Sequence, residues 1–328
     1  MQPFPAITST LSPKYLGNYV VEQYGFNANT NCRIIKIGVN HTYIIENDTC
    51  KYVFRVYNLN WRTKAEIKAE LDLLLLLNDN QISVAYPIKD KTSNYIQVLQ
   101  AAEGLRYAVL FTYAIGDSIV NPTKKHCLTL GLEMAKMHLI TANKTINRIN
   151  YNADTLVNWA LNQVESTFSK PLESINFIKR ANTIIASQFK KANTNALRSG
   201  IVHFDLWYEN IKIENETNIT FFDFDNCGNG WLFLDLAYSI MVIFRNEPNK
   251  DVFKEKMNAL IEGYQSVTPI SDEEKRLIPY GGLAIWLYYG GIHAQRFNDF
   301  SSIFYNENFL NYWIQTVDKW MKFNNIDI

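Results

Sequence analysis

The residues whose types and spacing could do chemistry lie between positions 203 and 225. His203-Phe204-Asp205-Leu206-Trp207-Tyr208-Glu209-Asn210 leaves a strand-like stretch and enters a loop, with an amide five residues after a carboxylate. Asn210–Ile213 then reads as a strand, Glu214–Asn218 as a polar turn and Ile219–Phe224 as the returning strand. With the midpoint between Glu216 and Thr217, Asn210 and Asp223 are expected to face each other at the end of the ladder beside Asp205. An amide oxygen and a carboxylate are hard ligands suited to Mg2+, which usually keeps waters and phosphate oxygens as its others. Phosphoryl transfer needs positioning, neutralised charge and a base that orients the attacking hydroxyl. Asp205 is placed to be that base, and Asn210 and Asp223 to hold the metal. The alternative is a polar loop whose Asp and Asn cap turns. Phe221-Phe222-Asp223-Phe224-Asp225 at hairpin distance favours the chemical reading.

The elements around this island fall into two groups. Ser12-Pro13 starts a helix, Ser as N-cap and Pro at the first helical position, that ends at Gly25. Strand-like stretches follow at Cys32–Ile37, Thr42–Glu46 and Lys51–Tyr57, then a helix near Arg62–Asn78, then strands near Tyr95–Gln100 and Tyr107–Thr112. After Gly116 helical patterns dominate: Thr123–Thr141, Asp154–Phe168, Ile175–Ala192, Leu232–Phe244, Val252–Tyr264, Leu283–Phe297 and Glu307–Phe323. The expectation is an α+β chain with a small five-stranded antiparallel lobe bearing one main helix over residues 1–113, and a larger, mostly helical lobe over 114–328.

Composition excludes several classes. Among 328 residues, 47% are apolar and 20% charged, as in globular proteins. Lys plus Arg equals Asp plus Glu at 32 each, so no global field draws the chain to nucleic acid or membrane. The cysteines Cys32, Cys50, Cys127 and Cys227 lack zinc-site spacing and read as reduced, mostly buried thiols of a cytoplasmic protein. Met1 to Thr10 lacks signal-peptide character, and the aliphatic run Leu73–Leu77 is too short to span a bilayer. No Gly-x-x-x-x-Gly-Lys-Ser/Thr motif is present, which disfavours a P-loop enzyme. Oligomeric state leaves no mark on the sequence.

His203-Phe204-Asp205 through Asn210, Phe222-Asp223-Phe224-Asp225 and Leu234-Asp235-Leu236-Ala237 together resemble the aminoglycoside phosphotransferase and choline kinase superfamily. The stretch from Asp223 to Trp231 looks most like its type II homoserine kinases and stress-response kinase A. The resemblance runs from about Phe4 to the last helices and is specific over 203–237. It implies a protein-kinase-like two-lobed fold and the cofactors ATP and Mg2+. Asp205 would be the catalytic base and Asn210 and Asp223 the metal ligands, with Asp225 close by. Asp235 would buttress the catalytic loop near His203; as a carboxylate at a helix N-terminus it is also favoured by the dipole.

On the nucleotide side, Arg55 in Tyr52-Val53-Phe54-Arg55-Val56-Tyr57 occupies the third-strand place where kinases carry Lys. Arg can grip phosphate by two hydrogen bonds, with a different geometry. Glu70 is the candidate partner and Glu66, one turn away, its competitor. Gly38-Val39-Asn40 reads equally as a shortened phosphate-covering loop and as an ordinary hairpin turn. The resemblance makes the backbone of Thr112-Tyr113-Ala114 the adenine contact.

The partners expected are therefore a nucleotide and a hydroxyl-bearing substrate. Trp207 and Tyr208, inside the catalytic loop, lead the acceptor-pocket candidates. Trp231, Trp286, Tyr238, Tyr289, His293 and Arg296 follow, although aromatic residues at helical spacing are more often core. The acidic run Asp272-Glu273-Glu274 is a thin basis for a polycationic antibiotic. An amino-alcohol or homoserine-like acceptor fits no worse. A protein Ser/Thr acceptor and a nucleotide-binding pseudokinase stay open, the latter supported by Arg55 alone.

Overall fold

The computed structural model describes residues 4–168, 172–299 and 302–327. The chain divides into two compact units. One runs to Ala114; the other runs from Ile115 through Asn298 and on from Ser302, and Asp299 groups with the first.

In the first unit, helix α1 (Pro13–Tyr24) has Ser12 at its N-cap and ends on Gly25 at φ 76°, a left-handed turn that glycine adopts at no steric cost. It is followed by β1 (Asn31–Ile37), β2 (Asn40–Glu46), β3 (Lys51–Tyr57), α2 (Lys64–Asp79), β4 (Ile96–Gln100) and β5 (Leu105–Thr112). The strands form one antiparallel sheet in the order β1-β2-β3-β5-β4. The sequence expectation of five strands and one main helix therefore holds. Leu16 and Val20 of α1 pack on Tyr43, Ile45, Phe54, Val56, Ala108 and Leu110. Each aliphatic side chain so buried contributes about 1.5–3 kcal/mol. Arg55 alternates to the other face, where α2 supplies Glu70. Helix α2 starts at a capping box in which Thr63 and Glu66 satisfy each other's end of the first turn.

The second unit contains α3 (Lys124–Thr141), a π-helical stretch Asp154–Trp159 running into α4 (Ala160–Thr167), and α5 (Glu173–Lys190). Two short ribbons follow: β6 (Ser199–Val202) pairs with β9 (Gly228–Trp231), and β7 (Ile211–Glu214) with β8 (Asn218–Phe221). Helices α6 (Phe233–Asn246), α7 (Lys250–Gln265), α8 (Asp272–Gln295) and α9 (Glu307–Phe323) complete it. Strand β6 is the strand-like stretch that leads into His203, whereas β9 lies beyond the sequence-read hairpin, where Gly228-Asn229-Gly230 has low strand propensity.

Helix α8 corrects the expectation of a helix beginning at Leu283. It starts eleven residues earlier, at Asp272, and runs through Pro279. A Ser271/Glu274 capping box starts it, and Gly281 and Gly282 let it approach α6 closely: a Cβ on Gly281 would sit 2.8 Å from the Phe233 ring. Tertiary packing here outweighs the cost of an internal proline. The acidic run Asp272-Glu273-Glu274 is accounted for by this helix start and by the ion pairs Glu274–Arg198 and Glu273–Arg276.

Helices α3 and α7 meet backbone to backbone. A Cβ at Gly131 would lie 2.0 Å from the Leu260 carbonyl oxygen, and one at Gly263 would lie 1.9 Å from that of Leu128. Gly263→Ala should therefore destabilise the fold by about 1–3 kcal/mol, read as a lower urea midpoint. An unchanged midpoint would show that the helices can separate freely. Among the cysteines, Cys127 and Cys227 are buried, Cys32 is half-buried and Cys50 exposed, and each is a thiol rather than part of a disulfide. Among the described residues no helix is long and apolar enough to cross a membrane.

Candidate active site

The segment 203–207 lies between β6 and the β7–β8 ribbon, and most backbone groups in it have a named partner. Asp235, in the first turn of α6 and fully buried, accepts from the N–H of His203 through Oδ2 (2.9 Å) and from that of Phe204 through Oδ1 (2.7 Å). The Asp205 N–H donates to His203 Nδ1 at 3.3 Å, so Nε2 carries the ring proton and donates to the Phe222 carbonyl at 3.1 Å. Burial lowers the His203 pKa, which keeps the ring neutral in this tautomer. The carbonyl of Phe204 accepts from the Tyr289 hydroxyl (3.1 Å), that of Asp205 from Asn210 Nδ2 (2.8 Å), that of Leu206 from Ser239 Oγ (2.6 Å) and that of Trp207 from the Asn210 N–H (2.9 Å).

Phe204 sits at φ 68°, a left-handed conformation that costs a bulky residue energy. Its N–H donating to Asp235, its carbonyl accepting from Tyr289 and its ring stacked on Tyr151 hold it there. This turn presents the Asp205 side chain, which is only partly buried, at the tip of the loop.

Sequence reasoning placed Asn210 opposite Asp223, and the register corrects this. Ile211 pairs with Phe221, and the Asn210 carbonyl accepts from the Phe222 N–H at 3.0 Å, so Asn210 faces Phe222. The ribbon turns about Glu216, and Asn215 and Glu216 both have positive φ, which moves the register by one residue. Asp223 follows directly, at φ 64° and ψ 58°. Its charge still reaches Asp205, whose pKa is raised to about 7, first by desolvation and then by Asp223. Asp225, 4% exposed, lies in the next turn, where Arg148 donates to its carbonyl and, at 3.2 Å, to that of Cys227.

Asn210, with its amide nitrogen committed to the Asp205 carbonyl, keeps Oδ1 as a possible ligand atom. Two hard oxygen donors beside a second carboxylate, with mutual repulsion that a cation would relieve, fit Mg2+ and its preference for few protein ligands. Among the described residues no group of three His, Cys, Asp or Glu forms a denser metal site.

The acceptor candidates separate. Trp207 is half-buried, with the Arg245 guanidinium 5.7 Å from its ring centre. The Tyr208 hydroxyl meets Cys127 Sγ at 3.0 Å in the core. Trp286 is buried against Trp313. Trp231 pairs with Ser199, at the end of the β6–β9 ribbon away from His203, which lies roughly 13 Å along the strands. There it packs on Phe189 and Phe233 and lines a cavity of about 430 Å³ with Asn143, Lys144 and Asn150. His293 packs among Phe304 and Tyr305, its pKa lowered to about 4 by burial, as a core histidine does.

In the sheet unit, Arg55 donates to Glu70 at 2.7 Å, and the Tyr57 hydroxyl adds a second bond to Glu70 at 3.1 Å. Arg55 is 8% and Glu70 0% exposed, and the guanidinium lies 4.9 Å from the Phe111 ring centre. Glu66 is occupied by the Thr63 cap. Gly38 and Asn40 close a tight hairpin, the Gly38 N–H donating to the Asn40 carbonyl at 3.1 Å. Thr112 bonds through its backbone and hydroxyl to Tyr86, Lys51 stands 4.4 Å over the Tyr113 ring centre, and Ala114 is buried.

Sequence reasoning missed His138 of α3, which bonds Asp235 at 3.0 Å through Nε2 and the Tyr264 hydroxyl at 2.8 Å through Nδ1. It also missed Ser239 and Arg245. Ser239 lies four residues after Asp235 on α6, a spacing that puts the two on one helical face.

A carboxylate on a loop held by named hydrogen bonds, next to an amide and a second carboxylate, is an arrangement suited to phosphoryl transfer. The chain matches the phosphotransferase enzyme family over residues 31–270 and belongs to it; it is a kinase. It is 26% identical to a homoserine kinase of Methylobacillus glycogenes, over 77% of each chain. Two solved structures share the fold with TM-scores of 0.75. One is a microcompartment-associated aminopropanol kinase, 18% identical, with 94% of this chain and 95% of that chain covered. The other is an amicoumacin kinase in complex with AMP-PNP, Ca2+ and Ami, 17% identical, with 94% of each chain covered.

Proposed function

We propose that this enzyme transfers the γ-phosphate of ATP to a hydroxyl of a small molecule, with Asp205 as the base. The observation that carries this reading is the Asp205 loop itself: a carboxylate on a fixed backbone, raised toward neutral pKa, beside Asn210 and Asp223. As the acceptor oxygen bonds to the γ-phosphorus, its proton passes to Asp205. The bond from that phosphorus to the β–γ bridging oxygen breaks, and the electron pair leaves with ADP. Asn210 and Asp223 are the residues proposed to hold Mg2+, which supplies charge neutralisation on the phosphates when bound. Arg55, held by Glu70, is proposed to contact the nucleotide phosphates, with Gly38 and Asn40 covering them and Thr112-Tyr113-Ala114 meeting the adenine. His203, Asp225 and Asp235 are support.

Among acceptors, a homoserine-like hydroxy-acid is favoured over a polycationic antibiotic. Arg245 lies against Trp207 of the catalytic loop and has no ion pair among the described residues, so it can meet a carboxylate. The named homoserine kinase relative agrees with this choice. In an ADP-release assay, Arg245→Leu should raise KM for hydroxy-amino acids roughly tenfold, the worth of a charge-assisted hydrogen bond, and leave KM for neutral amino-alcohols unchanged. Equal effects on both would reject Arg245 as the carboxylate contact.

A further inference from the structure

Asp205 and Asp223 stand on separate segments, one leaving β6 and the other leaving β8, and both segments turn left-handed at the site. Phe204, directly before Asp205, has φ 68°, and Asp223 itself has φ 64°. Such backbone at residues other than glycine persists only where its surroundings hold it. Just before Asp223 the segments are tied by His203, whose Nε2 donates to the Phe222 carbonyl at 3.1 Å. Just after it they are tied through Asn226, at the end of the turn Phe224–Asn226. Here two tyrosines from elsewhere in the chain make the tie. Tyr289 on α8 donates its hydroxyl proton to the Phe204 carbonyl at 3.1 Å and accepts from Asn226 Nδ2 at 3.3 Å. Tyr151, shortly before the π-helical stretch, lays its ring on that of Phe204, centres 3.4 Å apart and planes within 3° of parallel. Its hydroxyl donates to the Asn226 carbonyl at 2.6 Å. Tyr288 packs edge-on against this stacked pair, 5.5 Å from the Phe204 ring centre and 5.6 Å from that of Tyr151, which confines the stack.

Each tyrosine therefore touches both Phe204 and Asn226. A bond to Phe204 alone would fix the base's loop, and a bond to Asn226 alone would fix the turn after Asp223. A side chain bonded to both fixes one against the other. Arg148 also holds this turn, through the carbonyls of Asp225 and Cys227. The spacing matters because a misplacement of about 1 Å at a reacting centre can cost about 10²-fold in rate. We propose that Tyr151 and Tyr289 are positioning residues that brace the Asp223 turn against the Asp205 loop and so set the spacing of metal ligand and base. This rests on the reading of Asp205 as the base and Asp223 as a metal ligand.

The test uses Tyr151→Phe, Tyr289→Phe and the double variant in the full-length enzyme, with Asp205→Asn and Asp223→Asn as references. Three quantities are measured below each variant's melting temperature. The first is ADP release with ATP, Mg2+ and homoserine. The second is ATP binding without divalent cation. The third is Mn2+ binding in the presence of AMP-PNP, followed by electron paramagnetic resonance; Mn2+ shares the oxygen-ligand preference of Mg2+, and this measurement needs no acceptor. Each single variant leaves the other tyrosine in place and should lower kcat about threefold to tenfold. The double variant should lose about 10²-fold and bind Mn2+ roughly tenfold more weakly, the worth of one or two hydrogen bonds. Cation-free ATP affinity should stay within about twofold in all three. Wild-type Mn2+ affinity in the double variant, with Asp223→Asn weakened, overturns the brace. A matching fall in cation-free ATP affinity also overturns it, since that marks general loosening of the fold. If the double variant fails to melt cooperatively, the single variants decide by the same criteria. Unchanged Mn2+ binding in Asp223→Asn removes the metal ligand, and wild-type turnover in Asp205→Asn removes the base; both failures are distinguishable from that of the tyrosines.

Discussion

Asp205→Asn should lower kcat by about 10²- to 10⁴-fold, the usual contribution of a general base, and leave KM for ATP nearly unchanged. The substitution keeps the size and removes the lone pair that takes the proton. The same variant should be more stable than wild type at neutral pH. The native pKa of Asp205 is raised from 3.8 to about 7 by desolvation and by Asp223. Its ionisation therefore opposes folding, with a cost that grows as pH rises from about 4 and is complete above about 7. Three units correspond to about 4 kcal/mol, and partial exposure of the side chain reduces this to about 2 kcal/mol. Urea midpoints without nucleotide or cation should show Asp205→Asn gaining stability at pH 8 and losing that gain by pH 4. A gain independent of pH would contradict the assignment. In the wild type, kcat/KM should fall as pH drops through the Asp205 pKa. A cation that neutralises Asp223 should move that limb to lower pH, and Asp205→Asn should abolish the limb.

Asp235→Ala should be the most damaging substitution for the fold of the site. It strips the partner from the N–H groups of His203 and Phe204 and from His138 Nε2, all buried. Leaving buried donors of a charge-assisted network unanswered costs about 3–5 kcal/mol. Phe204 then loses one of the two backbone bonds that hold its left-handed turn, so kcat should fall along with the urea midpoint. Asp235→Asn retains one accepting oxygen and should cost less. A midpoint for Asp235→Ala within about 0.5 kcal/mol of wild type would mean that the loop is held in some other way.

The general plan of this fold was legible in the sequence because alternation and helical period are local signals. The five strands, the α1 caps at Ser12 and Gly25, and the sequence order of the Asp205 loop and its hairpin were all readable. What failed was decided by non-local packing or by a single backbone torsion. Helix α8 crosses Pro279 because Gly281 and Gly282 pack on α6, a partner invisible to a local pattern. The ribbon register moved by one residue because Asn215 and Glu216 turn left-handed, which no midpoint count anticipates. His138 reaches Asp235 across 97 positions of sequence. Tyr289 is visible as an aromatic candidate near the acceptor, yet only the packing of α8 brings its hydroxyl to the Phe204 carbonyl.

The central claim is that Asp205 accepts the acceptor's proton while phosphate moves directly from ATP to a small-molecule hydroxyl. The most direct measurement is a rapid-quench single turnover with γ-labelled ATP, Mg2+ and a hydroxy-amino acid, with the label followed into product, for wild type and Asp205→Asn. The account predicts label on the acceptor hydroxyl at the rate of ADP formation, no labelled protein on the path, and loss of transfer in Asp205→Asn with ATP still bound. Label arriving first on the protein, or transfer at wild-type rate in Asp205→Asn, would contradict it.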